Sequence, residues 1–219
     1  MIAHKYGKTL KRCEKLAEII GILMGDGSLY LDKKNKYHTV ICFNKKELQY
    51  LNYVKNLVEN FFQGYSFNKV ELTNEFFLRN VSVYVGQKLI EFGLRNGNKI
   101  SNKLVIPEWI SENKKYLKKF VRGFFDTDGS VYRKYNKYVQ IEIKLGCQET
   151  IHSIRKALLN LGFSPTKIQT GKNKLSNTAY WKVNLIRQNE ISRFFYEIKP
   201  KNLKHTMRYR NIKYGAAEI

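Results

Sequence analysis

Two aspartates that each follow an apolar helical stretch are the residues best placed for chemistry. Asp26 lies at the end of "IIGILMGDG" and Asp128 at the end of "VRGFFDTDG". The C-terminus of a helix carries partial negative charge, so a carboxylate there is in an unfavourable field unless a cation lies nearby. One Asp-Gly pair is weak evidence by itself, because this dipeptide is common in turns. The two stretches have to be considered together.

The two stretches belong to an internal repeat with a spacing of 102 residues. Within the motif the matched pairs are Gly21 and Gly123, Asp26 and Asp128, Gly27 and Gly129, Ser28 and Ser130, and Tyr30 and Tyr132. Away from the motif they are Glu47 and Glu149, Leu57 and Leu159, Phe61 and Phe163, Val81 and Val183, Val83 and Leu185, and Phe92 and Phe194. A constant spacing over this length favours gene duplication, so we expect two similar halves.

Each half is predicted to run helix, two strands, helix, two strands, helix, which is an α+β arrangement. The first helix is expected at about residues 14 to 24 and is apolar on nearly every side, as buried helices are. Strict alternation in "VQIEIKL", residues 139 to 145, predicts a strand with one buried and one wet face. The polar link around residues 96 to 106 divides the chain into domains 1–98 and 99–219.

The charge balance favours a polyanionic partner. The chain of 219 residues has 40 Lys plus Arg against 18 Asp plus Glu, a formal net charge of +22. So large an excess raises the local concentration of nucleic acid. No apolar run approaches the roughly 20 residues that span a bilayer, and the N-terminus lacks a secretory signal. We therefore expect an intracellular protein with no membrane partner, in a prokaryotic cytoplasm or nucleoid or in an organelle matrix. Three widely spaced cysteines argue against disulfides and structural zinc.

The chain resembles the monomeric, two-repeat LAGLIDADG homing endonucleases. "IIGILMGDG" and "VRGFFDTDG" stand where the nine-residue motif of that family stands, and "LVIPEWI" before the second motif is also similar to the family. The resemblance implies two pseudo-symmetric αββαββα halves whose motif helices pack at the interface. Gly21 and Gly123 would lie where the two helix backbones meet. The two antiparallel sheets would form a saddle that binds DNA.

The resemblance also implies the chemistry of the site. Packing of the motif helices would bring Asp26 and Asp128 together, and both would bind metal and act in catalysis. Oxygen ligands without His or Cys suit Mg²⁺ (or Mn²⁺), and the backbone carbonyls of Gly25 and Thr127 would assist at the metals. The reaction would be hydrolysis of both strands of a DNA duplex, leaving 3′ overhangs. Asp126 has no acidic counterpart in the first motif, so we interpret it as a helix-end or interface polar group.

In this family a basic or polar side chain at the end of the second strand of each half holds water or stabilises the transition state. The first half supplies Asn44 and Lys45 at that place, and both are predicted to act in catalysis. The position that matches Lys45 in the second half is Cys147. Either Lys144 or Gln148 would have to substitute, so the two half-sites are expected to be chemically unequal.

The outward residues of the two sheets are the predicted DNA contacts, with long basic tips meeting phosphates and amide, acidic or arginine groups reading base edges. In the first half they are Tyr30, Lys33, Lys34, His38, Lys69, Glu71 and Arg79. In the second half they are Tyr132, Arg133, Lys134, Gln140, Glu142, Lys144, Lys167, Gln169, Lys182 and Asn184. The basic C-terminal segment is expected to add nonspecific phosphate contacts.

Three functions remain open at this stage. A site-specific endonuclease, encoded within an intron and acting as a monomer on a long asymmetric duplex site, accounts for both acids. An RNA-binding maturase that acts on intron RNA with the same fold would not need them. A catalytically silent DNA-binding protein would be favoured if one acid were missing, and both Asp26 and Asp128 are present.

Overall fold

The computed structural model describes residues 10–135, 137–173 and 176–215. The first half contains α1 (Glu14–Met24), β1 (Gly27–Leu31), β2 (Tyr37–Asn44), a 3₁₀ turn (Lys45–Glu47), α2 (Leu48–Phe61), β3 (Asn68–Glu71), β4 (Glu75–Val81) and α3 (Val83–Glu91). A short helix in the link, α4 (Glu108–Ser111), precedes the second half. That half contains α5 (Lys114–Asp128), β5 (Gly129–Lys134), β6 (Tyr138–Leu145), α6 (Gln148–Asn160), β7 (Gln169–Lys172), β8 (Ala179–Leu185) and α7 (Gln188–Glu197), followed by α8 (Leu203–Tyr214). The predicted α+β fold with two αββαββα halves is confirmed.

Each half forms one four-stranded antiparallel sheet, in the orders β1-β2-β4-β3 and β5-β6-β8-β7. One face of each sheet packs on the helices. Ile41 opposite Leu78 in the first sheet, and Ile143 opposite Val183 in the second, are buried on that face. The alternate residues point to the other side, which we call the saddle face. No helix in the described part of the chain is long and apolar enough to cross a membrane.

The repeat spacing changes in the second part of each half. Val40 lies opposite Arg79 and Glu142 lies opposite Asn184. Val40 and Glu142 are 102 residues apart, whereas Arg79 and Asn184 are 105 apart. The connection between β7 and β8 is three residues longer than the one between β3 and β4. The predicted matches of Val81 with Val183, Val83 with Leu185 and Phe92 with Phe194 are therefore wrong, because they ignore this insertion.

Helices α1 and α5 cross through direct backbone contact at two glycines. A Cβ atom added to Gly21 would lie 2.3 Å from the carbonyl oxygen of Phe120, and one added to Gly123 would lie 2.3 Å from that of Glu18. Both distances are shorter than atoms tolerate, and the obstacles are main-chain atoms that cannot move independently. The two motif glycines therefore set the closeness of the helices, as the resemblance to the LAGLIDADG family implies.

We expect Gly21→Ala to destabilise the protein, although alanine favours helix by about 1 kcal/mol. Overpacking of a core costs about 1–3 kcal/mol, and a clash with backbone belongs at the upper end. The net loss of about 2 kcal/mol should lower the melting temperature by roughly 4–8 °C. Gly146→Ala is the matched control, because its added Cβ would lie 3.5 Å from Ile100, an ordinary contact. Equal melting temperatures for the two variants would contradict the packing role.

A buried ion pair crosses the same helix interface. Glu18 of α1 accepts a hydrogen bond from the guanidinium of Arg122 in α5 and a second, 2.5 Å long, from the hydroxyl of Tyr53. Glu18 and Arg122 are both more than nine-tenths buried. The repeat does not reproduce this pair, because the matching residues are Phe120 and Ile20. The interface between the halves is therefore asymmetric in its charges.

Helix α8 is attached to the second motif helix through Asp126. The buried carboxylate accepts hydrogen bonds from the backbone N–H groups of Lys201 (2.8 Å) and Asn202 (3.0 Å). Burial raises the pKa of Asp126 to about 7, and the two backbone donors oppose that rise. The Asn202 side chain caps α8 by accepting from the N–H of Lys204. Asp126 is thus an interface polar group that fixes the start of α8.

Candidate active site and DNA-binding face

The two motif aspartates lie where the ends of α1 and α5 meet. Asp26 is in the turn after α1, and its carbonyl oxygen accepts a hydrogen bond from the backbone of Cys42 at 3.1 Å. Asp128 is the last residue of α5. A Cβ on Gly25 would lie 3.1 Å from Asp128 Oδ2, so the second carboxylate reaches the end of the first motif helix. The helix crossing thus brings the two predicted catalytic acids into one site.

The electrostatics of this site favour a cation. Asp26 reaches solvent, yet the protein packed around it raises the pKa of its carboxyl above the ordinary value. Burial, and then the negative charge of Asp26, raise the pKa of Asp128 to about 6. Within the described residues, no three His, Cys, Asp or Glu side chains gather as a metal site. A divalent ion held here would need water and phosphate oxygens to complete its shell, which is how Mg²⁺ is commonly bound.

Lys99, which sequence reasoning missed, provides a positive charge beside both acids. Its segment is tied to β1, because Asn96 accepts from the backbone of Leu31 at 3.0 Å. The ammonium donates to the carbonyl oxygens of Gly25 and, at 3.3 Å, Met24. Burial lowers the pKa of Lys99, and the charges of the two aspartates oppose that effect. The Gly25 carbonyl predicted to assist a metal is therefore occupied by an ammonium group.

Thr127, the other predicted carbonyl ligand, is buried at the end of α5. Its hydroxyl donates to the backbone oxygens of Phe124 at 2.8 Å and Gly123 at 3.3 Å, within its own helix. The side chain is also the nearest obstacle to a Cβ on Gly25. Thr127 thus contributes to the close contact of the two helix ends, and a role for its carbonyl stays a prediction.

A second lysine reaches the site from α8. Lys204 Nζ pairs with Glu47 Oε1 at 2.7 Å, and its charge opposes the raised pKa of Asp26. Glu47 also accepts from the Asn202 side chain at 2.7 Å and from the backbone of Asn44 at 3.0 Å. The start of α8, in the second half, thereby contacts the end of β2 in the first half. Periodicity gave no signal for this helix.

Asn44 and Lys45, both predicted to act in catalysis, make other contacts in the structure. Asn44 accepts a hydrogen bond from the backbone of Lys46 at 3.0 Å, so its side chain caps the 3₁₀ turn. Lys45 Nζ donates to Glu71 at 2.7 Å and lies 5.6 Å from the ring of Phe76. Phe76 belongs to the helix-packed face of the sheet. The capped turn therefore directs Lys45 to the edge strand β3, and Lys99 and Lys204 are the lysines beside the acids.

Lys144, the predicted substitute in the second half, lies on the saddle face opposite Lys182. Its Nζ is 5.0 Å from the ring of Tyr180. Cys147 is buried, and its thiol donates to Glu149 at 3.5 Å. A catalytic role for Lys144 stays a prediction.

Strand register decides which predicted DNA contacts lie on the saddle face, because directly opposed residues in an antiparallel pair share a face. Those on it are Tyr30, His38, Arg79, Tyr132, Lys134, Gln140, Glu142, Lys144, Gln169, Lys182 and Asn184. Lys33 and Lys34, in the connection between β1 and β2, and Lys167, before β7, are exposed outside the strands. Most of the predicted set thus lies on that face.

Three predicted contacts belong to the opposite face. Lys69 is paired with buried Leu78, and Arg133 is paired with buried Val139. Glu71 lies opposite Phe76 by the same register and holds Lys45. The prediction that Lys69, Glu71 and Arg133 share a face with the other candidates is therefore wrong. All three are exposed only because their strands are at the sheet edges.

Other members of the saddle face are covered or engaged by their neighbours. His38, Gln140 and Asn184 are each more than nine-tenths buried, so none is the free tip that the sequence suggested. Glu142 is held by Lys182 Nζ at 2.9 Å and by the hydroxyl of Tyr132 at 3.3 Å. The second sheet therefore presents a carboxylate whose orientation is fixed before any ligand binds.

Fold and site together define an α+β protein of two repeats whose acid-ended helices meet at one centre. Comparison with known families agrees. Residues 16–82 match the WhiA LAGLIDADG-like domain, and residues 115–199 match the LAGLIDADG-like domain. The two matches together span more than half of the chain. It therefore has the two-repeat LAGLIDADG fold, which confirms the resemblance drawn from the motifs.

Solved structures show the same fold. The homing endonuclease I-DmoI in complex with DNA and Ca matches with a TM-score of 0.61 and 19% identity, over 84% of this chain and 88% of that chain. Full-length DUF199/WhiA from Thermatoga maritima matches with a TM-score of 0.55 and 20% identity, over 95% of this chain and 61% of that chain.

One curated relative is similar in sequence. The tRNA-splicing ligase RtcB of Methanopyrus kandleri is 25% identical over 220 residues, which cover 85% of this chain and 21% of that protein. The chain thus spans about a fifth of this relative's length.

Proposed function

We propose that the protein is a site-specific, metal-dependent endonuclease of double-stranded DNA, a homing endonuclease encoded within an intron. The observation that carries the proposal is the meeting of Asp26 and Asp128 at the ends of two crossed helices, each with its pKa raised. The halves 1–98 and 99–219 would each take one side of a long asymmetric site. Hydrolysis of both strands would leave 3′ overhangs.

The donor set fits Mg²⁺ or Mn²⁺ held by Asp26 and Asp128. A variant of I-DmoI has been solved with its target DNA in the presence of Mg, and I-DmoI has been solved with DNA and Mn. A bound divalent ion would lower the pKa of an attacking water and neutralise charge on the scissile phosphate. Lys99 and Lys204 would stabilise the negative charge that develops beside the acids, since preorganised cations act strongly at such a place.

A DNA-binding protein that does not cut is the second candidate. The observation that favours it is the match of the first repeat to a WhiA LAGLIDADG-like domain, whereas the second repeat matches a different LAGLIDADG-like domain. Such a protein would have no need of both aspartates. The two candidates share the saddle face and differ in whether a bound duplex is broken.

We expect a duplex that spans the insertion site of the protein's own gene to be cut on both strands in Mg²⁺, and not in EDTA. Because one chain contains both half-sites, mass photometry should show one protein per duplex. A duplex with the same composition in scrambled order is the control. Binding without strand breaks would favour the second candidate, and two chains on one duplex would contradict the monomeric site.

A further inference from the structure

Four side chains on the first saddle face form a connected row. Asp32 Oδ2 and His38 Nε2 are 2.8 Å apart, and His38 Nδ1 is 2.8 Å from Arg79 Nη2. The ring of Tyr30 stacks on the imidazole with centroids 4.7 Å apart and planes 7° from parallel. Asp32 was not among the residues expected to matter, because it lies in the turn between two strands.

The chemistry of arginine fixes the direction of these hydrogen bonds. A guanidinium has only donors, so His38 Nδ1 must accept from Arg79. The proton of the neutral imidazole is then on Nε2, which donates to Asp32. Asp32 is held in turn by the backbone N–H groups of Lys34 (2.8 Å) and Lys36 (2.9 Å). The hydrogen bond with His38, and then these backbone donors, lower the pKa of Asp32 to about 2.

Arg79 is the exposed end of this row. It lies on β4, an interior strand, between Val40 and Asn68 on the neighbouring strands. In the part of the chain that the structure describes, no carboxylate is within ion-pair distance of Arg79. One Nη2 proton is used by a neutral imidazole, so the full positive charge and the remaining donors are available to a ligand.

We propose that Arg79 reads a guanine in the major groove of the first half-site and that His38 and Asp32 are positioning residues that orient it. The inference rests on the proposed function, because it requires duplex DNA on the saddle face. The planar fork of arginine matches the O6 and N7 acceptors of guanine. An arginine held in one orientation loses less conformational entropy on binding. Such preorganisation favours contact with a base edge, since a phosphate contact can be made by any lysine and carries no sequence information.

In the test, the 219-residue chain selects duplexes from a pool of random-sequence DNA, without added divalent metal. Sequencing of the bound duplexes then gives the base preference at each position. Wild type should enrich a motif with one strongly preferred G·C pair in the half contacted by residues 1–98. Arg79→Met, which removes the guanidinium, should lose about 5- to 150-fold of that preference, the range for one bidentate contact, with the other positions unchanged. Arg133→Met removes one charge from the opposite face and should leave the whole motif unchanged.

Two substitutions of His38 distinguish a role in positioning Arg79 from an effect on folding alone. His38→Phe keeps a ring beneath Tyr30 but removes both hydrogen bonds, so the preference should fall nearly as far as in Arg79→Met. His38→Gln keeps one acceptor and one donor and should retain most of the preference. Gln140 occupies the matching place in the second repeat, so the fold accepts this residue there. Melting temperatures identify any variant that is unfolded.

The outcomes distinguish failure of the proposed function from failure of the role of Arg79 alone. If wild type enriches no motif, both the proposed function and the role of Arg79 are wrong. If wild type enriches a motif that Arg79→Met leaves intact at every position, only the role of Arg79 is wrong. A loss for Arg79→Met that is uniform over all sequences, with a salt dependence lower by about one charge, would identify a phosphate contact and overturn guanine reading.

Discussion

Asp128→Asn is expected to lower double-strand cleavage by about 10³-fold or more, which corresponds to about 4 kcal/mol of lost stabilisation at the transition state. The amide cannot replace a carboxylate as a ligand for a hard cation. DNA affinity should remain close to that of wild type, because the saddle face is unchanged. Cleavage of a specific duplex in Mg²⁺ and binding without metal would be measured side by side.

A stability measurement excludes unfolding as the cause. Because the pKa of Asp128 is raised to about 6, its ionised form destabilises the metal-free fold, and this destabilisation develops as pH rises from about 4 to 6. Asp128→Asn should therefore melt at the same temperature as wild type near pH 4 and at a higher one above pH 6. Glu112→Gln, at an exposed carboxylate, is the matched control for cleavage. Full cleavage by Asp128→Asn would remove this residue from the active site.

Lys99→Met should slow cleavage by about 10²- to 10³-fold, the size of effect when one preorganised stabilising group is removed. The ammonium is held by the end of α1, beside both acids, and methionine keeps the length of the side chain without its charge. End-labelling each strand separately would show whether the loss falls on one strand, with a nicked duplex accumulating. We expect the two DNA strands to be cut at different rates, because Lys99 and Lys204 come from different segments.

Lys45→Met is the control for Lys99→Met, because it removes the same charge from a lysine that pairs with Glu71. Its cleavage rate should stay within about threefold of wild type, as for a surface ion pair of little energetic weight. If Lys45→Met lost more activity than Lys99→Met, the catalytic role that the sequence predicts for Lys45 would be right, and the role inferred for Lys99 from the structure would be wrong.

The repeat made the architecture predictable. The two motifs predict the same helix ending in both halves. The apolar pattern predicts α1 from about Glu14 to Met24, and the structure has the same bounds. Gly21 and Gly123 were informative because glycine inside a helix costs about 1 kcal/mol relative to alanine, which favours a packing role at both places. Such features depend on local sequence, and duplication supplies each of them twice.

Other parts of the site depend on contacts between distant segments. Lys99 and Lys204 lie in stretches without periodicity, and they reach the acids only because the link returns to β1 and Asn202 docks on Asp126. Helix α8 has no apolar stripe, so no pattern marks it as a helix. The short edge strands β3 and β5 gave too little alternation to decide their exposed faces, which is why Lys69 was misplaced.

The asymmetric pair of Glu18 and Arg122 has a consequence for the ancestry of the chain. If two copies of the first half came together through their motif helices, Glu18 of each copy would lie against Ile20 of the other, because Ile20 is the residue that matches Arg122. A buried carboxylate without a cationic partner is strongly destabilising. Two copies of the second half would in the same way place Arg122 against Phe120, the residue that matches Glu18. The symmetric dimer from which such a duplicated gene would descend is therefore no longer accessible to either half alone. A hybrid made by recombination with a relative would fold stably only if its first half carries the glutamate and its second half carries the arginine.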